Sequence, residues 1–280
     1  MRRTIVFVVA CVAAFPAHAA EPAIRNLDIR GLKVGGTTTL TLDGDDFGKS
    51  LRLLLPFAAT QTLKAGATDK RAIFDVTLPD DVPPGYHHLR VVAEGGVSLP
   101  IVVGVDRLSQ IAMTAPIPEL PVALHGAIAG SATVEIKFQG KAKQKVMIEV
   151  EAQRLGGKLR PVVHLYTPKK LQLAWSWPTP TLFGDTRLEA VLPEDGAYTV
   201  ALHDVEYAAA APSYFRLKIG TWSFVDQVFP PVLAKNQSAT VELLGMAAPV
   251  KAEATAPKTT EAMPLAWPKG GVWSGPRPFV

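Results

Sequence analysis

The sequence is poor in cysteine, in helical periodicity and in long apolar runs, and each shortage removes a class of protein. Its one cysteine, Cys11, lies near the N-terminus, so no intramolecular disulfide can form and the fold must rest on its hydrophobic cores. No long segment repeats apolar positions at i, i+3, i+4 and i+7 between capping residues, which leaves little room for α-helix. Beyond residue 20 no apolar run approaches the ~20 residues that a membrane-spanning helix needs, so no transmembrane segment is expected once the N-terminus is removed. A basic stripe is missing too. The formal charge is +4, and it falls to +2 when Arg2 and Arg3 leave with the first twenty residues, which carry no acid. The densest basic group, Lys137, Lys141, Lys143 and Lys145, sits where a solvated hairpin is expected, so nucleic acid is not an expected partner.

The N-terminus has the form of an export signal. Arg2 and Arg3 give a positive start, Thr4 to Phe15 is almost wholly apolar, and Ala17-His18-Ala19 supplies the small-x-small cleavage pattern. Residues 1–20 are therefore read as a signal peptide cut after Ala19 or Ala20. Val8-Val9-Ala10-Cys11 loosely matches a lipoprotein box and leaves lipidation at Cys11 as the alternative. An exported protein, periplasmic, at the cell surface or extracellular, is the expectation.

The rest of the chain reads as all-β. The 24 prolines and 22 glycines punctuate short apolar runs, which is the texture of β-sandwiches. Alternation at period two places Val134, Ile136, Phe138, Val146, Ile148 and Val150 on one buried face. It recurs in Tyr198–Leu202 and in Phe215–Ile219, where Tyr214, Arg216 and Lys218 fall on the other, solvated face. Residues 21–104 are expected to form an immunoglobulin-like sandwich, with strands near 24–29, 37–42, 51–55, 72–78, 86–93 and 97–103. Residues 105–120, with Pro116 and Pro118, read as a linker.

Two internal echoes organise the chain further. Leu78-Pro79-Asp80-Asp81 leads to Gly85-Tyr86, and Leu192-Pro193-Glu194-Asp195 leads to Gly196-Ala197-Tyr198. Both look like sandwich corners in which a Tyr hydroxyl bonds back across the turn. Residues 27–44 and 228–245 align without gaps, with Leu27, Leu32, Leu40, Leu42 and Gly44 on Val228, Leu233, Val241, Leu243 and Gly245. Residues 221–280 are therefore read as a partial copy of the first unit with a Pro/Ala-rich tail. A sandwich of about 100 residues does not fit there. Two expectations follow: the sequence is a piece of a longer protein, or these strands complete the sheet of another unit.

Residues 121–220 resemble the bacterial pre-peptidase C-terminal (PPC) domain. The resemblance rests on Pro121–Gly126, Val134–Phe138 followed by Gly140, Val146–Val150, Leu155-Gly156-Gly157, Val162–Leu165, Leu192–Val200 and Tyr214–Gly220. It implies a jelly-roll-like β-sandwich, an accessory module of secreted peptidases or a repeated unit of large surface proteins, flanked by immunoglobulin-like modules. Some such domains bind calcium, and some bind protein or polysaccharide. Where many members carry acids, this chain has Thr133, Arg160 and Ala174-Trp175-Ser176-Trp177. Calcium takes about six to eight oxygens, so it is disfavoured and no cofactor is expected.

Catalytic patterns are sparse. His87 and His88 point to opposite faces of a strand, no HExxH spacing exists, and the remaining histidines read as ordinary surface or edge residues. Gly130-Ser131 and Gly220-Thr221-Trp222-Ser223 lack the nucleophile-elbow pattern. Asp28, Asp43, Asp45 and Asp46 read as a solvated turn, with calcium the alternative. The one suggestive feature is Trp175-Ser176-Trp177: on an extended segment both indoles share a face, where they can stack on sugar rings, anchor a protein or fill a core. The sequence thus reads as a non-catalytic binding or structural module with a protein or polysaccharide partner of the cell envelope. The alternative is an accessory or truncated part of a secreted enzyme with catalysis outside these residues.

Overall fold

The computed structural model describes residues 20–48, 50–114, 116, 117, 119–245, 250–259, 262–265, 272–276 and 280. The export signal and Cys11 lie outside the described residues. The fold is all-β: apart from two short 3₁₀ turns, the described residues contain no helix.

The first unit holds β1 (Ala23–Leu27), β2 (Gly31–Lys33), β3 (Gly36–Asp45), β4 (Arg52–Leu54), β5 (Thr60–Leu63), β6 (Arg71–Leu78), β7 (Gly85–Ala93), β8 (Gly96–Val97) and β9 (Ile101–Asp106). One sheet runs β1-β3-β6-β5 and the other β2-β9-β7-β4, with β8 on β7. Between them Leu40, Leu42, Phe74, Val76, Leu89 and Val103 are buried, each from the inward phase of an alternating strand. The sequence reading missed β2 and β5. Thr60-Gln61-Thr62-Leu63 is an edge strand with little apolar alternation to mark it.

The second unit holds β10 (Ser109–Ala112), β11 (Val122–Ala127), β12 (Val134–Gly140), β13 (Lys145–Glu151), β14 (Pro161–Tyr166), β15 (Gln172–Ser176), β16 (Thr186–Val191), β17 (Gly196–Asp204) and β18 (Tyr214–Gly220). Its sheets are β10-β11-β18-β13-β16 and β12-β17-β14-β15. Two corrections follow. The stretch read as a linker supplies β10, which pairs in parallel with β11 and extends this sheet. The expected hairpin around Lys141 does not exist: β12 pairs β17 while β13 pairs β16 and β18, so the connection crosses between sheets. Ile136 and Phe138 face Val146, Ile148 and Val150 across the core rather than lying beside them on one face.

The third unit holds β19 (Gln227–Phe229), β20 (Ser238–Leu244) and β21 (Val250–Thr255) in one sheet of order β19-β20-β21. Its pairing repeats that of the first unit. Val228 faces Leu243 as Leu27 faces Leu42, and Gln227 faces Leu244 as Asn26 faces Asp43. Among the described residues these strands make their own sheet and complete no other.

Only one of the two expected corners closes. The Tyr198 hydroxyl donates to the Glu194 carbonyl at 2.7 Å. The Tyr86 hydroxyl instead donates to Glu151 Oε1 of the second unit at 2.9 Å. The reason is phase. Each strand opens on its glycine, but Tyr198 stands two residues after Gly196 and Tyr86 one residue after Gly85, and a one-residue shift sends a strand side chain to the opposite face.

The outer face of β18 and β13, expected to be solvated, is buried. Glu149, Glu151, Arg216 and Lys218 are at most 1% exposed, because the first and third units close over them. Opposite charges make that burial tolerable. Arg216 donates to Glu151 at 2.8 Å and to Asp106 of the first unit at 2.6 Å. Lys218 lies 2.6 Å from Glu151 and donates to Ser274 at 3.0 Å, and Ser274 donates to Asp106 at 2.6 Å. Arg154 and Arg187 hold the two oxygens of Glu149 at 2.7 and 2.9 Å. Gly31 and Gly104, paired across β2 and β9, make room: a Cβ on Gly104 would sit 2.6 Å from Arg216 Nη1. Burial pushes the Glu151 carboxyl up, but Lys218 and Arg216 outweigh it and hold it at about 2.

His125 also belongs to this junction and corrects its reading as a surface residue, being 3% exposed. Its Nδ1 accepts from the Arg30 backbone N–H at 3.0 Å, and its Nε2 faces Gln110 Oε1 at 2.9 Å, which fixes a neutral Nε2–H ring. Burial and then Arg216 push it well below the ordinary 6.5.

Candidate functional site

The opposite outer face of the second unit, on β17, β14 and β15, carries the most exposed aromatic cluster. Alternation sends Val163, Leu165, Val200 and Leu202 inward, so His164, Tyr166 and His203 point outward. Antiparallel pairing then sets Trp175 of β15 directly opposite His164, and Gln172 opposite Tyr166. Trp177 follows Trp175 by two residues and shares its face. Trp175 is 53% exposed and Trp177 59%. The structure thus brings both tryptophans to one open surface, outside the sandwich core.

The rings touch in an ordered way. The two indoles meet edge to face, 5.8 Å between centroids and 75° between planes, so together they form a corner rather than a flat platform. Trp175 lies 19° from the plane of His164, which in turn is near-parallel to Tyr166 and His203. Tyr207 stacks on His203 at 4.1 Å and 6°.

His164 and His203 form a pair that sequence reasoning missed. Each could be read as outward-facing from its own strand, but their meeting depends on β14 pairing with β17, which nothing local reveals. His203 Nδ1 faces the Asp204 carbonyl at 2.8 Å; a carbonyl only accepts, so Nδ1 carries the proton and Nε2 is left as an acceptor. His164 Nε2 lies 3.1 Å from that acceptor, and His164 Nδ1 lies 3.0 Å from the Gln172 carboxamide. The ring centroids are 5.3 Å apart, about as far as that nitrogen separation allows, so the imidazoles meet tip to tip. This is the geometry of an N–H···N hydrogen bond, and the Tyr207 hydroxyl lies 3.2 Å from the same His203 Nε2. Two imidazoles converging on a single ion would meet at an angle.

The other singled-out residues do not gather here. Asp28 accepts backbone N–H groups from Ile29 and Thr41 at 2.6 and 2.7 Å, Asp45 pairs Arg25 at 2.7 Å, and Asp43 lies 3.6 Å from Arg71. His87 packs edge-on to Phe57. Among the described residues no three His, Cys, Asp or Glu side chains are placed to hold one metal ion. None of the helical turns there is long and apolar enough to cross a membrane.

No family model matches the chain. No curated protein matches it either. Among solved structures it is similar to a periplasmic inhibitor of g-type lysozyme from Aeromonas hydrophila, at 14% identity and a TM-score of 0.28 over 39% of this chain and 93% of that one. It is also similar to a secreted serine protease from Vibrio cholerae, at 7% identity and a TM-score of 0.27 over 70% of this chain and 50% of that one. A third is the SGBP-B protein of the Bacteroides ovatus mixed-linkage glucan utilization locus, solved with a mixed-linkage heptasaccharide, at 11% identity and a TM-score of 0.27 over 72% of this chain and 74% of that one. At these TM-scores the similarities assign no function to the chain.

Proposed function

We propose that this protein is an exported, non-catalytic binding module of the cell envelope that holds a polysaccharide on the outer face of β14, β15 and β17. The observation that carries this reading is the exposure of Trp175 and Trp177 together on one sheet face, edge to face. Large aromatic rings left in water cost free energy that a partner's apolar face recovers. A sugar ring fits one wall of the corner with its C–H face, and its hydroxyls reach polar neighbours. Gln172, Tyr166 and the His164 ring stand within one strand of the indoles to serve as those neighbours. We further propose that the second unit is of the pre-peptidase C-terminal type, supported by the closed corner at Tyr198 and by its two-sheet sandwich.

Affinity electrophoresis through a panel of soluble polysaccharides, with isolated cell-wall sacculi as a second arm, tests the reading. Wild type should be retarded by at least one of them, and Trp175→Ala/Trp177→Ala should bind at least tenfold more weakly. Equal retention of the two proteins would sink the proposal, as would wild type that binds none of these polymers.

A further inference from the structure

The aromatic row of the second unit does not end at the histidine pair. Tyr207, in the turn that follows β17, lies flat on His203, 4.1 Å between centroids and 6° between planes. It is 52% exposed and His203 beneath it only 7%, so the open face of the phenol is the one turned away from His203. Trp175, also half exposed, stands at the other end of the same run of rings, beside His164. Trp175 is on β15 and His203 on β17, with β14 between them.

The turn is built to hold Tyr207 there. Its φ is 51°, a left-handed backbone that a bulky residue rarely adopts. The buried Asp204 carboxylate pins the turn by accepting the backbone N–H groups of Arg160 and Glu206, each at 3.0 Å. The Tyr207 N–H donates to the Asp204 carbonyl at 2.9 Å and closes it. A buried carboxylate thus holds an exposed aromatic ring in a strained conformation, and outliers over-determined in this way cluster at ligand sites. The hydroxyl is available as well. An imidazole lone pair lies in the ring plane, and the tip-to-tip His164 ring meets that of His203 Nε2 at 3.1 Å. Tyr207 lies in a nearly parallel plane above. Its hydroxyl, 3.2 Å from the same nitrogen, is therefore off the lone-pair axis and is left to bond a ligand.

We infer that Tyr207 is a second stacking surface of the polysaccharide site, and that the site takes a run of about three or more sugar units laid across the strands. The inference rests on the reading that this face binds a polysaccharide. Strand spacing sets the length: β15 to β17 is two spacings, about 10 Å, which is wider than one sugar ring covers. The Trp175/Trp177 corner holds one end of the run, Tyr207 stacks against the other, and the units between pass over His164.

The probe is a partial hydrolysate of whichever polymer retards wild type, fractionated from one to six sugar units and titrated calorimetrically into the full chain. Affinity should climb at least tenfold from the disaccharide to the tetrasaccharide and then level off. Tyr207→Gly removes the ring and suits the left-handed backbone. It should weaken hexasaccharide binding at least fivefold and disaccharide binding less than twofold, with thermal unfolding as cooperative as in wild type. Tyr207→Phe keeps the stacking surface and should stay closer to wild type than Tyr207→Gly does. An affinity that is flat from the disaccharide upward would overturn the inference and leave the binding face standing. So would a hexasaccharide affinity that Tyr207→Gly does not change, or a loss of the same size at every length. Wild type that binds none of the polymers removes both readings.

Discussion

The two outer faces of the second sandwich reverse the usual assignment of surface and interior. The face on β18 and β13 is written in Glu, Arg and Lys and is sealed from water. The face on β14 and β15 is written in Trp, Tyr and His and is open to it. Both obey the same period-two alternation, and both stand outside the hydrophobic core between the sheets. Their difference is in what lies above them. Alternation states which side chains leave the core; it does not state whether another unit will meet them. The charged face is tolerated inside because each cation has a carboxylate within about 3 Å, a condition under which burial of ions is roughly neutral in free energy. The aromatic face has no such neighbour among the described residues, which is why it is the surface assigned to a ligand.

That contrast can be broken most forcefully at Arg216. Arg216→Met leaves Asp106 and Glu151 buried without their shared cation, and should cost about 3–5 kcal/mol of stability in urea unfolding. A cost near zero would mean that the face is not sealed. Gly104→Ala comes next. Its Cβ would press on Arg216 Nη1, and overpacking of this kind costs about 1–3 kcal/mol. Combined with Arg216→Met, which removes the obstructing guanidinium, the penalty of Gly104→Ala should largely vanish.

The pH profile sharpens the same point. Folding depresses the proton affinity of His125, so the stability it contributes is present above its ordinary 6.5 and is lost as pH falls below that value. Glu151, held at about 2 against an ordinary 4.5, adds a second loss that begins near 4.5 and continues down towards 2. His125→Gln keeps an acceptor for Arg30 and a donor for Gln110 without a titrating ring. It should flatten the first limb and leave the second; a variant with both limbs intact would show that His125 is not the group responsible. The smallest effect is expected on the open face, where Trp175→Ala/Trp177→Ala should change stability by no more than about 0.5 kcal/mol even as it removes binding.

Much of this was legible from the residues alone. The alternating runs gave most of the strands, the Trp175/Trp177 pair was placed on one face by counting, and the gapless alignment of 27–44 with 228–245 became a repeated pairing register. What escaped was everything that depends on which strand lies next to which. Val134–Phe138 and Val146–Val150 have the same pattern whether they pair or face each other across a core. Glu149 and Lys218 look like solvent residues until the partner unit is known, and His164 and His203 are 39 residues apart. Tyr86 was misjudged for a different reason. The two corner motifs share a composition, but one residue of spacing decides the direction of the side chain.

The junction has a consequence for how the chain assembles. Asp106 meets Arg216 across 110 residues of sequence and Ser274 across 168. These are among the most distant contacts in the molecule, and they are ionic, so a half-made version leaves charges stranded in a closing interface. Within the second sandwich Arg216 and Lys218 already meet Glu151, and Arg154 and Arg187 meet Glu149; Asp106 and Ser274 add the partners that come from either side. Contacts that close such long loops are slow to form in general, so docking of the flanking segments is expected to follow the local strand pairing of the second sandwich.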